Sequence, residues 1–448
     1  MNKAEIIALA ESAEAAATVT PAQAEVLKSP DFWKNPHLRY KENNEPYAPS
    51  ITAITWWMEH PSMQLSHVRY NQLEGVIEAE LLPWNQKPHT WSDADTSYLL
   101  ATLQERTSGL VRSEKNVLHA LTIVAHNKKY DPLLDALESL PEWDGIPRAD
   151  SLVIDFLGAA DTAYTRAVTR HMLNGAVMRA FVPGCKFDEV VTLSSQKQGI
   201  GKSTFARKLA LRDSFFTDSV GNITTKEAPE NLKGRWIIEL GELESLRKRE
   251  VESVKLFISK QDDRFRPSYG RFAETFKRRF IFIASTNSTA FLTDRTGNRR
   301  FLPIACNVQS PKLSIFSDEA TEHIKQAWAE VLNDYQTNGS LPLVLPDSVK
   351  DTAEEQRDRF AVDDPKAGLI ESWITDHCRP GELICILQIM DKVFDITKAE
   401  ANKPTNKAMQ NEIRQILESL PYLTRMDKKP YHSQEFGYQR CWRYQADD

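Results

Sequence analysis

The chain has 448 residues, more than one compact core usually serves, so two or three domains are expected. Hydrophobic residues make up 41% and charged residues 26%, which excludes a largely disordered chain, and a formal net charge of -6 excludes a uniformly basic polyanion binder. No apolar run reaches about 18 residues and the N-terminus has neither a basic nor a compact apolar signal region, so a cytoplasmic protein is expected.

Residues 1–30, rich in Ala and Glu, read as an N-terminal arm. Residues 31–150 carry many tryptophans and helical spacings such as Leu118, Leu121 and Val124, which predicts a small, mostly helical domain. Near Asp150 the pattern changes. One helix is predicted through Leu152, Ile154 and Phe156, and a second through Met172 to Phe181, stopped by Pro183 and Gly184. Three short β-rich runs follow, Val190-Val191-Thr192-Leu193, Trp236-Ile237-Ile238 and Phe280-Ile281-Phe282-Ile283, separated by helical stretches. That alternation predicts an α/β core over residues 151–310 with both sheet faces covered. Residues 311–365 read as a helical extension and linker, passing through Trp328 and Leu332. Residues 366–448 predict three helices and a terminal hairpin, the element order of a winged helix-turn-helix, a small α+β domain.

Only 17 glycines occur, and eight of them lie between Gly184 and Arg300, the stretch that also carries the chemistry. After the first β-run comes Gln196-Lys197-Gln198-Gly199-Ile200-Gly201-Lys202-Ser203, opening a helix that begins at Thr204. This is P-loop context: backbone N–H groups at a helix N-terminus cradle phosphates, Lys202 reaches the β and γ phosphates, and the Ser203 hydroxyl holds Mg²⁺. Gln196 stands where the usual pattern has its first glycine. The second β-run ends at Glu239, with Glu242 three residues on. Carboxylates at a strand tip facing phosphate suit a metal shell and a water-orienting base, and the favoured assignment gives Glu239 the metal and Glu242 the water. Alternatively Glu242 is a solvated residue of the next helix. Asn287, after the third β-run, is placed to hydrogen-bond a γ-phosphate and the attacking water. Arg299 and Arg300 offer a guanidinium that would stabilise transition-state charge, in trans if a neighbouring subunit supplies it; the competing reading is a structural ion pair.

From Ser245 to Arg300 fourteen Lys or Arg face six Asp or Glu. Within this stretch Lys260, Arg264, Arg266, Tyr269 and Arg271 suit a loop or hairpin gripping a nucleic-acid backbone, with Tyr269 able to stack on a base. Internal pairing with Asp262 and Asp263 is the alternative. Five cysteines, an odd count without a C-x-x-C pair, argue against a disulfide framework and a zinc cluster.

With these residues laid out, the chain resembles the virulence-associated protein E family of prophages, plasmids and pathogenicity islands, P-loop ATPases that look like superfamily 3 replicative helicases. The resemblance rests on Trp143-Asp144-Gly145, Gln198 to Thr204, Glu239-Leu240-Gly241-Glu242, Asp263 to Arg271, Thr286-Asn287 and Thr296 to Phe301. It implies an AAA+-like, superfamily 3 helicase-type core with ATP and Mg²⁺ bound between subunits of a hexameric ring. It further implies that the stretch from Lys260 to Arg271 grips single-stranded or forked DNA. No primase motif precedes the ATPase, so a separate primase or initiator is expected. The expected function is a DNA helicase for mobile-element replication. A regulatory or loading ATPase without unwinding is the alternative, and a repressor with a vestigial ATPase is disfavoured by the complete residue set.

Overall fold

The computed structural model describes residues 34–445, apart from 44, 222–224, 226, 242–247, 268–271, 289, 293–297, 362–364, 427–430 and 434. The N-terminal arm, Glu242, Tyr269 and Arg271 therefore lie outside the described residues.

The first unit begins with α1 (Ile51–Glu59), whose N-cap Ser50 accepts the Ala53 N–H. Three short strands follow, β1 (Val68–Asn71), β2 (Val76–Ala79) and β3 (His89–Thr90), forming an antiparallel sheet in that order. α2 (Asp93–Arg106) opens with a capping box between Ser92 and Asp95, and α3 (Glu114–Asn127) is capped by Ser113. Ile54, Trp57 and Met58 of α1 share one core with Val117, Leu121 and Val124 of α3. The sequence predicts a mostly helical segment here; the small sheet escapes that reading because strands of two to four residues cannot display an alternating period. α4 (Pro132–Glu138) packs elsewhere, sending Leu133 and Leu137 into the central core.

That core is built from α5 (Leu152–Leu157), the long buried helix α6 (Ala163–Phe181) and a parallel sheet. In chain order come β4 (Val190–Ser194), α7 (Lys202–Leu209), β5 (Phe216–Thr217), α8 (Ala228–Asn231), β6 (Ile237–Leu240) and α9 (Lys248–Ile258). A hairpin of β7 (Asp262–Phe265) and β8 (Glu274–Lys277) precedes β9 (Ile281–Thr286) and β10 (Phe301–Ala305). The five-stranded sheet has the order β10-β4-β9-β6-β5, and every pair in it is parallel.

Both faces of this sheet are covered, and the strands show it residue by residue. Val191 and Leu193 point to the core shared with α6 and α7, whereas Val190 points to the core holding Val254, Phe257 and Ile258 of α9. β5 and β10 lie beyond the sequence reading. β5 has only two residues, and β10 contains Pro303, which reads as a strand breaker. β10 pairs with β4 alone, and a sheet edge is where a proline's missing N–H costs least. α10 (Glu319–Asn338) then closes the core, its Trp328 indole donating to the Leu209 carbonyl at 3.0 Å, and α11 (Lys350–Arg359) follows.

The last unit has its own core, including Ile370, Ile384, Ile389, Ile413, Leu417 and Trp442. Its elements are α12 (Pro365–His377), β11 (Leu383–Cys385), α13 (Ile386–Phe394), α14 (Lys398–Ala401), α15 (Lys407–Ser419) and β12 (Leu423–Arg425). β13 (Tyr431–Ser433), β14 (Gly437–Gln439) and β15 (Cys441–Tyr444) complete it. β15 lies between β11 and β12, antiparallel to both, and β13 pairs with β14. The sequence reading anticipates three helices here but neither β11 nor the short α14.

Candidate active site

The parallel strands end their C-termini on one side of the sheet, and the P-loop leaves β4 there. Gly201, at φ +93°, is the N-cap of α7, and a Cβ on it would stand 2.4 Å from Ile315 Cγ2. Only glycine serves both the left-handed backbone and that packing. Gln196 adopts no positive φ and is exposed, so the loop geometry at that point requires no glycine and the departure from the usual pattern is accommodated.

Four residues selected from sequence meet in one place. The Lys202 ammonium, almost wholly buried, donates to Asn287 Oδ1 at 2.9 Å and reaches the Ser195 carbonyl at 3.5 Å. The Ser203 hydroxyl donates to Glu239 Oε1 at 2.7 Å. The pairing of β6 with β9, with Glu239 opposite Ile283, brings the Ser285 hydroxyl to the same oxygen at 2.6 Å. Glu239 is 2% exposed, and its second oxygen, Oε2, is buried with no hydrogen-bond partner. A buried carboxylate oxygen left without a donor is costly unless something positive meets it, so the site fits a hard divalent cation held by hydroxyl and carboxylate oxygens.

Ser285 is a site residue that sequence reasoning misses; a serine one position before the end of a strand carries no signal until the sheet register is known. Around these residues lies a cleft of about 970 Å³ lined by residues 198–204, 218–221, 239–241 and 285–287, with Phe316 on its wall. Gln198, Gly199, Ile200 and Thr204 all belong to this lining. Cys306, next to the P-loop, has its thiol pushed up to about 12 by complete burial, an effect the Lys202 cation opposes, so it stays a neutral packing group.

The two arginines separate. Arg300 donates to Ser259 Oγ at 2.7 Å and pairs with Asp188 at 3.6 Å, the structural alternative, while Arg299 is exposed and makes no ion pair among the described residues. Both precede β10, whose Phe301 is in register with Val190 at the start of β4. They therefore sit at the N-terminal end of the parallel strands, opposite the end that carries the P-loop and separated from it by a strand of five residues, about 16 Å. Neither lines the cleft of its own chain.

The basic stretch divides in the same way. Arg264, on β7, and Arg266, just after it, are exposed, and Lys260 is exposed with its ammonium 5.4 Å from the Phe257 ring centre. Arg278 is consumed internally. It donates from Nε and Nη2 to the Asp263 carboxylate at 2.6 and 2.9 Å and from Nη1 to the Phe257 carbonyl at 2.5 Å, pinning the hairpin base. Arg279 pairs with Asp131 and donates to the Ala180 carbonyl. The internal-pairing alternative thus holds for Arg278 with Asp263, while Arg264 and Arg266 project outward from the same hairpin.

Trp143-Asp144-Gly145 is not part of the cleft. The Arg148 guanidinium grips Asp144 at 2.6 and 2.7 Å and holds its carboxyl at about 2, below the usual range, while the Asp144 N–H donates to Gln326 on α10. The motif is a turn that docks the chain onto the core. All five cysteines are free thiols.

Residues 137–362, just over half of the chain, match the virulence-associated protein E-like domain. No curated protein matches the chain. Among solved structures, an apo structure of the NrS-1 C-terminal region is similar, with 12% identity over 85% of this chain and 96% of that one and a TM-score of 0.47. An A-form apo structure of the same region gives 12% identity, 84% and 96% coverage and a TM-score of 0.44. The parallel α/β core, the P-loop and the matched domain lead to one assignment: the chain belongs to the virulence-associated protein E-like family.

Proposed function

We propose that this protein is an ATP-dependent DNA helicase or translocase of a mobile genetic element, acting in replication in a bacterial cytoplasm as a homo-oligomeric ring, with a separate primase or initiator as partner. The observation that carries the proposal is the junction of Lys202, Asn287, Ser203 and Glu239 at the C-terminal ends of the parallel strands, with Glu239 Oε2 buried and unpartnered. No helix among the described residues is long and apolar enough to cross a membrane.

In this reading the N–H groups from Gly199 to Ser203 cradle the ATP phosphates, and Lys202 shifts from Asn287 to the β and γ phosphate oxygens. Ser203 and Glu239 would hold Mg²⁺, which would supply neutralisation of the phosphate charge. Asn287 is assigned to orient the γ-phosphate and the attacking water, and Glu242 to polarise that water. Arg299, standing away from its own cleft, serves the cleft of the neighbouring subunit, which makes turnover depend on the ring. Lys260, Arg264, Arg266, Tyr269 and Arg271 are assigned to the DNA contact, beside a hairpin whose base is fixed by Arg278 and Asp263. The last unit, whose three longer helices α12, α13 and α15 share a core with β11, β12 and β15, is assigned as a winged-helix-like module that binds duplex DNA.

The test is unwinding of a forked duplex with ATP. Wild-type protein is expected to separate the strands and Lys202→Ala to lose that activity. Unwinding that survives Lys202→Ala would refute the reading, and hydrolysis without unwinding would identify a switch or loader instead.

A further inference from the structure

Phe316 is 63% exposed, yet it stands on the wall of the cleft that holds Lys202 and Glu239. Its loop is firmly built. The neighbouring Ile315 is 1% exposed and anchors the segment in the core. The Lys208 ammonium of α7 donates to the Ser317 carbonyl at 2.7 Å, and the Leu313 N–H donates to the Asp155 carbonyl at 3.0 Å. Glycine at position 201 lets this loop approach the P-loop, because a Cβ there would lie 2.4 Å from Ile315 and 3.2 Å from Phe316 Cζ. The tip of the ring approaches Gly201 at the start of α7, while most of the side chain stays exposed.

The cleft has a direction. Its phosphate end is set by Lys202, Asn287 and Glu239, and Asn287 just after β9 and Glu239 in β6 lie on one side of β4. The segment carrying Phe316 follows β10, on the other side of β4. A triphosphate seated on Lys202 therefore has its base on the side where the exposed Phe316 ring is found.

We propose that Phe316 is the stacking platform for the base of the bound nucleotide, reading the flat face of a purine rather than its hydrogen-bonding edge. The proposal rests on the cleft being an ATP site. Stacking of a base on an aromatic side chain is sequence-tolerant, so ATP and GTP should be held with similar affinity.

The experiment measures equilibrium binding of ATP, GTP and inorganic tripolyphosphate to the full chain as wild type, Phe316→Ala and Phe316→Trp. Phe316→Ala should weaken both nucleotides by about 5- to 100-fold, Phe316→Trp should restore them, and tripolyphosphate should bind all three proteins alike. Unchanged nucleotide affinity in Phe316→Ala would overturn the proposal. So would an equal loss of nucleotide and tripolyphosphate, since the ring would then merely support the loop. If the wild type bound neither ATP nor tripolyphosphate, the ATP-site reading would itself be wrong, an outcome separable from failure at Phe316.

Discussion

Replacing Asp263 by Ala would leave the Arg278 guanidinium buried without its counter-ion. In the wild type that cation is 2% exposed, held by two charge-assisted hydrogen bonds of 2.6 and 2.9 Å, and flanked by the Phe257 and Phe280 rings at 4.3 and 5.2 Å. A pair of unit charges about 4 Å apart in an effective dielectric of about 20 interacts by about 4 kcal/mol, and breaking a buried pair by removing one partner costs about 3–5 kcal/mol. Asp263→Ala should therefore lower the unfolding free energy of the central core by about 3–5 kcal/mol. Asp263→Leu combined with Arg278→Met, which removes both charges and keeps the volume, should return to within about 2 kcal/mol of wild type. Urea unfolding followed by tryptophan fluorescence is a suitable assay, because Trp236, just before β6, is fully buried against the same parallel sheet. A loss below about 1 kcal/mol in Asp263→Ala, or a double variant no more stable than the single one, would refute the assignment of Arg278 to the hairpin base.

Arg264→Ala with Arg266→Ala should weaken single-stranded DNA binding and reduce its logarithmic salt slope by about 1.4, leaving ATP binding unchanged; an unaltered slope in a binding titration would remove these residues from the DNA contact. Arg299→Ala and Lys202→Ala should each abolish ATP hydrolysis, whereas an equal mixture should recover about a quarter of the wild-type rate, the share of interfaces that combine an intact lysine with an intact arginine. Absence of rescue at every mixing ratio would contradict a trans arginine. The Cys306 thiol is raised to about 12 from an ordinary value of 9.0. Its neutral form is favoured in the folded chain, so its contribution is fully present below pH 9 and is lost as pH rises toward 12. Unfolding measured between pH 8 and pH 11 should therefore show a decline with pH that Cys306→Ala makes shallower.

Much of the site is legible in the sequence because its residues lie at strand ends and in a short motif. Lys202 and Ser203 follow β4, Glu239 is in β6, and Asn287 follows β9; each of these strands is betrayed by a β-branched or aromatic run. β5 and β10 are not legible, one being two residues long and the other interrupted by Pro303. Ser285 and Phe316 stay hidden for a different reason. Their relevance comes from the β6–β9 register and from a loop returning past α10's N-terminal end, neither of which is a local property. The basic stretch is the instructive case. Arg264 and Arg278 look alike in sequence, but β7 alternates, burying Asp263 and exposing Arg264, and the buried acid draws Arg278 in beside it.

The most direct test of the central claim, that this cleft hydrolyses ATP through Glu239, is steady-state hydrolysis of Mg²⁺-ATP by wild type and Glu239→Gln, with nucleotide binding measured alongside. The account predicts turnover in the wild type and a loss of about 100-fold or more in Glu239→Gln, with ATP still bound by Lys202 and the loop. Wild-type turnover by Glu239→Gln would contradict it.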